Sequence, residues 1–149
     1  MTDKREQILA RLVEIMETVA GVVAVYRNCP DPNEARMPAV VVFDADEEIA
    51  PLPDSARYKG PTASQVMIMR PEVFVVLSAR AADAGTRLNE LRARIYKAVV
   101  TDEALSDIVG TNGRISLEAG RSGFAVGRAM SCELKLEFGF TYVLRASDL

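Results

Sequence analysis

The longest regular pattern in the chain lies near its C-terminus, between Met130 and Leu144. Apolar residues occupy every even position of this stretch, and polar residues or glycine occupy the odd positions through Thr141. A period of two is typical of a β-strand with one buried and one solvent-facing side. At about 3.3 Å per residue the strand spans roughly 50 Å, whereas a compact chain of this length has a diameter of roughly 40 Å. We therefore expect the strand either to bend at Gly139 or to project and pair with another subunit.

Two stretches have helical periodicity instead. The first helix starts after a cap at Thr2 or Asp3 and ends at Gly21, with its apolar residues on one face. The second begins at a cap within residues 83–86 and is followed by a short helical turn, Glu103–Val109, that stops at Gly110. The apolar positions of the two helices are Ile8, Leu9, Leu12, Ile15, Met16 and Val19, then Leu88, Leu91, Ile95 and Val99.

Shorter apolar runs predict the remaining strands. Val22–Arg27 and Ala39–Phe43 come first, and the continuous apolar run of the second indicates burial on both faces. Val66–Leu77 is interrupted by Pro71, which cannot donate to a ladder, so its first half belongs at an edge or a bulge. Ile115–Ala119 forms a hairpin with the final strand through residues 121–128. These elements predict a single α+β domain over 1–149: a mixed, mainly antiparallel sheet of about four to five strands, with two main helices on one face.

One segment lacks any period, and a second is rich in glycine. Residues 44–65 are polar and hold Pro51, Pro53, Gly60 and Pro61, and residues 110–128 hold five of the nine glycines. Loops of such length within a compact domain are usually functional or become ordered on a partner. The first of them is therefore a candidate subunit contact.

Composition narrows the functional classes. The chain has 149 residues and a formal net charge of -3, so it is long enough for one core and lacks the overall basic charge of a nucleic-acid-wrapping domain. It contains no histidine, which removes Ser-His and Cys-His nucleophile systems and histidine metal ligands. No apolar run is long enough to cross a bilayer, and the charged first residues do not resemble a signal peptide. We interpret Cys132 as a small buried hydrophobe and Cys29 as a loop thiol in a reducing compartment.

Two charged clusters are candidate sites. The acidic cluster offers carboxylate ligands for a divalent cation, but it lacks the calcium-loop pattern, so a solvated loop is favoured. A third interpretation, an acidic surface that keeps a passing polyanion from binding, applies only if the protein forms a ring. The arginines recur every seven residues, without the aromatic interleaving of a nucleic-acid site, which favours a solubilising or subunit-contact role. No nucleophile has a recognisable setting, so we expect neither an enzyme nor a bound metal or cofactor. The clusters are Asp44, Asp46, Glu47 and Glu48, and Arg114, Arg121 and Arg128.

The order of elements resembles a known family. The resemblance rests on four stretches: Arg94-Ile95-Tyr96, Leu105-Ser106-Asp107-Ile108, the glycine-rich hairpin and the final Phe140-Thr141-Tyr142-Val143. Together with the earlier helix and strands, they make the chain similar to the tail terminators of long-tailed phages, the minor tail protein U type. Gene transfer agents use similar proteins. The likeness covers most of the chain, while 44–64 and 110–128 depart most from the family pattern.

The resemblance implies a structural protein of the virion tail, assembled in the host cytoplasm. It implies a homohexameric ring that caps the tail tube, stops its polymerisation and offers a face to the head-tail connector protein. DNA would pass through the bore without specific binding. In such a ring we expect the acidic cluster to lie nearer the bore or a subunit seam than the outer wall.

Two alternatives stay open at this point. One is a small oligomeric ligand-binding or catalytic α+β domain with a pocket at a subunit interface. The other is a neighbouring head-tail connector or tail-completion protein. Neighbouring genes for tail proteins would favour a virion protein, and neighbouring metabolic genes would favour the enzyme.

Overall fold

The computed structural model describes residues 3–32, 36–50, 63–125 and 130–149. This part of the chain forms three α-helices and one seven-stranded sheet. The helices are α1 (Lys4–Thr18), α2 (Ala81–Val100) and α3 (Glu103–Val109). The strands are β1 (Ala24–Arg27), β2 (Ala39–Phe43), β3 (Glu47–Ile49), β4 (Ser64–Met69), β5 (Glu72–Ala79), β6 (Arg114–Ala125) and β7 (Met130–Arg145). The predicted α+β class is confirmed, although the strands outnumber the four to five expected.

The extra strands arise because two strand runs are interrupted. β4 and β5 pair with β7 in one unbroken register, from Ser64 opposite Arg145 to Ala79 opposite Met130. The break between them falls at Pro71, whose carbonyl still accepts a hydrogen bond of 3.2 Å from the Phe138 amide. The proline therefore interrupts the strand without displacing it from β7. Because β4 lies between β3 and β7, the prediction that the first half of this run belongs at an edge or a bulge is wrong.

β2 and β3 are related in the same way. β2 pairs with β5 and β3 pairs with β4, with a register offset of one residue between the two ladders. The interruption contains Ala45, whose φ of 52° is uncommon for a residue with a side chain. When β2 with β3 and β4 with β5 are each counted as one interrupted strand, the order across the sheet is β1, β2/β3, β4/β5, β7, β6. Among the described strands, only β1 and β2 pair in parallel.

The strand β7 is covered within a single chain. β4 and β5 pair along one of its edges over its whole length, and β6 pairs along the other from Ser131 to Thr141. Of the two expected alternatives, pairing of β7 with another subunit is therefore wrong for all but its last residues on the β6 side. The register shift lies in β6, between Leu117 and Ala119, rather than at Gly139.

The predicted loop over 44–65 is also wrong in part. It contains β3, and its last two residues begin β4; residues 51–62 lie outside the described residues. β6 is longer than the predicted Ile115–Ala119 and extends to Ala125, so residues 121–125, predicted as part of the hairpin connection, belong to the strand. α2 begins at Ala81, ahead of the predicted cap.

The core lies between the helices and one face of the sheet. The predicted apolar positions of α1 and α2 are all buried there, as are the even-numbered residues of β7 from Cys132 to Tyr142. The odd-numbered residues of β7 point to the opposite face, which we call the open face of the sheet. None of the helices in the described ranges is long and apolar enough to span a membrane.

Candidate subunit-contact site

The four residues of the acidic cluster have different surroundings in the structure. Asp44, at the end of β2, accepts hydrogen bonds from Arg27 of β1, Nε to Oδ1 at 2.8 Å and Nη2 to Oδ2 at 2.9 Å. The same guanidinium binds Glu6 of α1 at 2.8 and 2.9 Å. These charge-assisted bonds lower the pKa of both carboxyl groups. Asp44 therefore joins the sheet to the helix layer.

Glu47 faces the helix side of the sheet. It accepts a hydrogen bond from the buried Tyr142 hydroxyl, and its other carboxylate oxygen lies 3.4 Å from Arg5 Nε. Burial, followed by the neighbouring Glu47 carboxylate, raises the pKa of Tyr142. Arg5 also donates to the Ala45 carbonyl at 3.0 Å. Glu47 thus holds β3 against the N-terminus of α1.

Glu48 lies on the open face, where Arg70 donates to its carboxylate at 2.6 Å. Arg70 also donates to Glu118 of β6 at 3.0 Å. A Cβ at Gly139 would collide with that Glu118 carboxylate, so the glycine makes room for the pair. Glu48 keeps 59% of its side chain exposed and has room for a further partner.

Asp46 is exposed, and its side chain makes no hydrogen bond or ion pair within the described part of the chain. Its carbonyl accepts the Arg70 amide at 3.0 Å, which continues the ladder across the β2 and β3 break. Among the described residues, no three potential metal ligands come together. The four acidic residues therefore stabilise the sheet or face solvent, and do not converge.

The arginines lie on the opposite edge of the sheet. Arg114 begins β6, Arg121 follows on the same open face, and Arg128 lies outside the described residues. Arg114 and Arg121 are exposed and have no ion pair within the described ranges. The structure thus places acidic and basic candidate residues at the two edges of one sheet.

The strand registers relate the two edges to one another. Glu48 is opposite Ile68, Ile68 is opposite Thr141, and Thr141 is opposite Arg114. Paired residues of neighbouring strands share a face, so Glu48 and Arg114 terminate the same row on the open face. The sequence offered no signal for this row, since the residues are 66 positions apart and the register depends on two interrupted strands.

Each edge also carries a distinct feature on the helix side. Ile49, the last residue of β3, is an exposed apolar side chain, 53% accessible. At the start of β6, α3 and the strand enclose a groove of about 440 Å³. Its lining is mostly polar, with Ser106, Asp107 and Thr111, and its apolar part is formed by Val100, Val109 and Ile115.

Sequence reasoning missed the cations that hold the acidic cluster. Arg27 and Arg70 lie 17 and 22 positions from the carboxylates Asp44 and Glu48. Nothing in their local sequence marks these contacts, because they depend on which strands become neighbours. Cys132 is buried, as predicted, and Cys29 is partly exposed.

Comparison with known proteins finds similarity to solved structures only at the level of coordinates. No protein-family model and no curated protein matches the chain. One chain of a solved structure described as the virion of a native gene transfer agent particle is similar, with a TM-score of 0.47 and 18% identity. The match covers 92% of this chain and 90% of that chain. At this level of similarity, nothing known of that particle transfers to this chain.

Proposed function

We propose that this chain is a structural virion protein that closes into a ring, caps the tail tube of a phage-like particle and receives the head-tail connector protein. The order of its elements, which resembles tail terminators, is one support for this proposal. The proposed role is mechanical, requiring no catalysis and no cofactor.

The observation that carries the ring is the opposite charge of the two sheet edges. A closed ring needs a heterologous interface, in which one surface of a copy meets a different surface of the next. Asp46 and Glu48 stand at one edge, and Arg114 and Arg121 at the other. A patch that meets its own copy by two-fold symmetry would place like charges together, whereas head-to-tail contact places opposite charges together.

The same arrangement suits a bore that passes DNA. DNA is a polyanion, so a bore without a basic surface avoids retaining it. In this proposal the acidic edge lies at the seam near the bore, and arginines of the neighbouring copy join Arg70 of the same copy in balancing its negative charge. The hexameric stoichiometry is carried over from the resemblance.

Electron microscopy of particles made without this protein tests the role. Over-long tubes are expected, because nothing would stop polymerisation. Tubes of normal length without heads would instead assign a connector or tail-completion role. Intact particles of normal length would overturn the proposal.

Light scattering after size-exclusion chromatography tests the ring itself. We expect self-association of the purified chain, alone or after addition of tail tubes from the same particle. A chain that stays monomeric and does not bind tube ends would refute the proposal.

A further inference from the structure

We infer which surfaces meet at the subunit seam: the free edge of β3 in one copy lies beside the start of β6 in the next, with Glu48 opposite Arg114 and Ile49 in the α3–β6 groove. The inference rests on the proposed ring, and it names the partner of each edge as a second copy of this chain. Four features of the structure carry it.

The first feature is strand direction. β3 runs antiparallel to β4, β4 to β7, and β7 to β6. β3 and β6 of one molecule are therefore antiparallel to each other. A copy displaced along the sheet, with a rotation that closes the ring, brings its β3 antiparallel to the neighbouring β6, which is the arrangement of an ordinary added strand.

The second feature is the unpaired backbone of β3. The Asp46 carbonyl and the Ala50 amide bond to β4, at 3.0 and 2.8 Å. Because bonding directions alternate along an antiparallel strand, the backbone groups of Glu47 and Ile49 point away from β4. Within the described residues β3 pairs only with β4, so this edge is available to another strand. Its charged side chains disfavour unspecific pairing.

The third feature is charge. Glu48 and Arg114 terminate one row on the open face, so a neighbouring copy placed in line with that row sets them opposite each other without a register change. Asp46 stands on the same face two residues before Glu48 and adds negative charge. Arg114 has no competing ion pair among the described residues.

The fourth feature is shape on the helix side. The strand registers set Ile49 beside Met67 and Met67 beside Tyr142, in one row on the helix side of the sheet. In the same placement, the exposed Ile49 side chain lies at the groove between α3 and β6, against the apolar part of its lining, Val109 and Ile115. The acidic and apolar residues of β3 therefore meet Arg114 and the apolar part of the groove at once.

Charge exchange tests the seam, using the full chain in the state in which the wild type self-associates, alone or on tail tubes. The Glu48→Arg variant carries cations at both contact positions, and Arg114→Glu carries anions at both. Each variant alone should self-associate roughly tenfold or more weakly, since like charges meet at every seam. An equimolar mixture should recover, because alternating copies restore opposite charges at every seam. Sedimentation velocity measures the self-association of each variant and of the mixture.

Arg121→Glu is the matched register control, as it changes the same charge on the same face of β6 farther along the strand. Its mixture with Glu48→Arg should not recover. Ile49→Ser tests the groove and should weaken self-association, whereas Val23→Ser, at a residue 54% exposed on the β1 side, should not. Thermal unfolding of each variant separates a loss of fold from a loss of contact.

The outcomes distinguish this inference from the function on which it rests. If neither Glu48→Arg nor Arg114→Glu changes self-association, the inferred seam is wrong and the proposed ring is unaffected. A wild-type chain that does not self-associate even on tail tubes overturns both. Variants that self-associate normally but lose binding to tube or connector protein would assign the edges to that partner and refute the inference.

Discussion

Arg27 binds Asp44 through two parallel hydrogen bonds of 2.8 and 2.9 Å, and with the same guanidinium it binds Glu6. The arrangement connects the ends of β1 and β2 to α1. All three side chains are partly exposed, which limits the strength of the Coulombic attraction through solvent screening. The shared guanidinium nevertheless leaves two carboxylates dependent on one cation.

Replacing Arg27 by methionine should destabilise the fold. The variant keeps the aliphatic stem but leaves Glu6 and Asp44 without their partner, and we expect the free energy of unfolding to fall by about 1 to 2 kcal/mol. For a domain of this size the corresponding fall in Tm is about 3 to 7 °C. Calorimetry measures it. Arg92→Met, at an exposed arginine of α2 without an ion pair among the described residues, should change Tm by much less.

The same cluster predicts that the free energy of unfolding decreases in acid. Arg27 lowers the pKa of Glu6 and Asp44 below their ordinary values of 4.5 and 3.8 in the folded state. The unfolded chain therefore binds more protons in acid, so the contribution is present above these values and is lost as the pH falls through the folded pKa values. Urea unfolding between pH 7 and pH 3 should give falling stability below about pH 5. In Arg27→Met the decline should be shallower, and an equal decline would contradict this account.

The sequence predicted the elements whose burial is periodic. β7 is recognisable from its alternation, and α1 and α2 from helical spacing, because in each case the pattern itself is what the core buries. β3 has no such pattern. Glu48 and Ile49 are exposed, Glu47 is charged although partly buried, and the strand is held by Arg5, Arg70 and Tyr142, whose positions depend on the fold. A polar segment was therefore predicted as a loop.

The pairing of both edges of β7 within one chain could not be predicted from the sequence, for a related reason. Its length is readable from sequence, but the collinear arrangement of β4 and β5 depends on Pro71 interrupting a strand without breaking its register. The candidate site was predicted as two clusters of like charge. Their relation across the sheet needed the register, which includes the shift between Leu117 and Ala119.

Gly113→Ala should destabilise the start of β6. A Cβ at this position would lie 2.7 Å from both the carbonyl carbon and the Cβ of Val109, and closer still to the carbonyl oxygen. Backbone atoms of α3 cannot move aside as a flexible side chain does, so we expect a loss of about 1 to 3 kcal/mol. Gly123→Ala is the control, because no atom lies within 4 Å of the added methyl group. Urea denaturation compares the two, and equal stabilities would contradict the close approach.

The last prediction concerns the attachment of β3, the strand proposed to form the seam. Tyr142→Phe removes the hydroxyl that donates to Glu47 and leaves that carboxylate with Arg5 as its remaining partner. We expect a global loss of about 1 to 2 kcal/mol, since a hydrogen bond to a charged group is lost from a half-buried site. The exchange rate of the β3 amides should change more than the global loss predicts, because among the described residues β3 pairs only with β4, and such a strand is expected to open without unfolding the core.

Hydrogen exchange followed by NMR separates the two effects. The Ala50 amide, which bonds to the Val66 carbonyl at 2.8 Å, should exchange faster in the variant, while the Val75 amide in β5 should change only by the global loss. Tyr26→Phe is the matched control, since the Tyr26 hydroxyl makes no hydrogen bond within the described part of the chain. Unchanged exchange at Ala50 would mean that Tyr142 does not hold β3. If β3 forms the seam, a loosened strand should also weaken self-association of Tyr142→Phe, because the free edge must be ordered before a neighbouring β6 can pair with it.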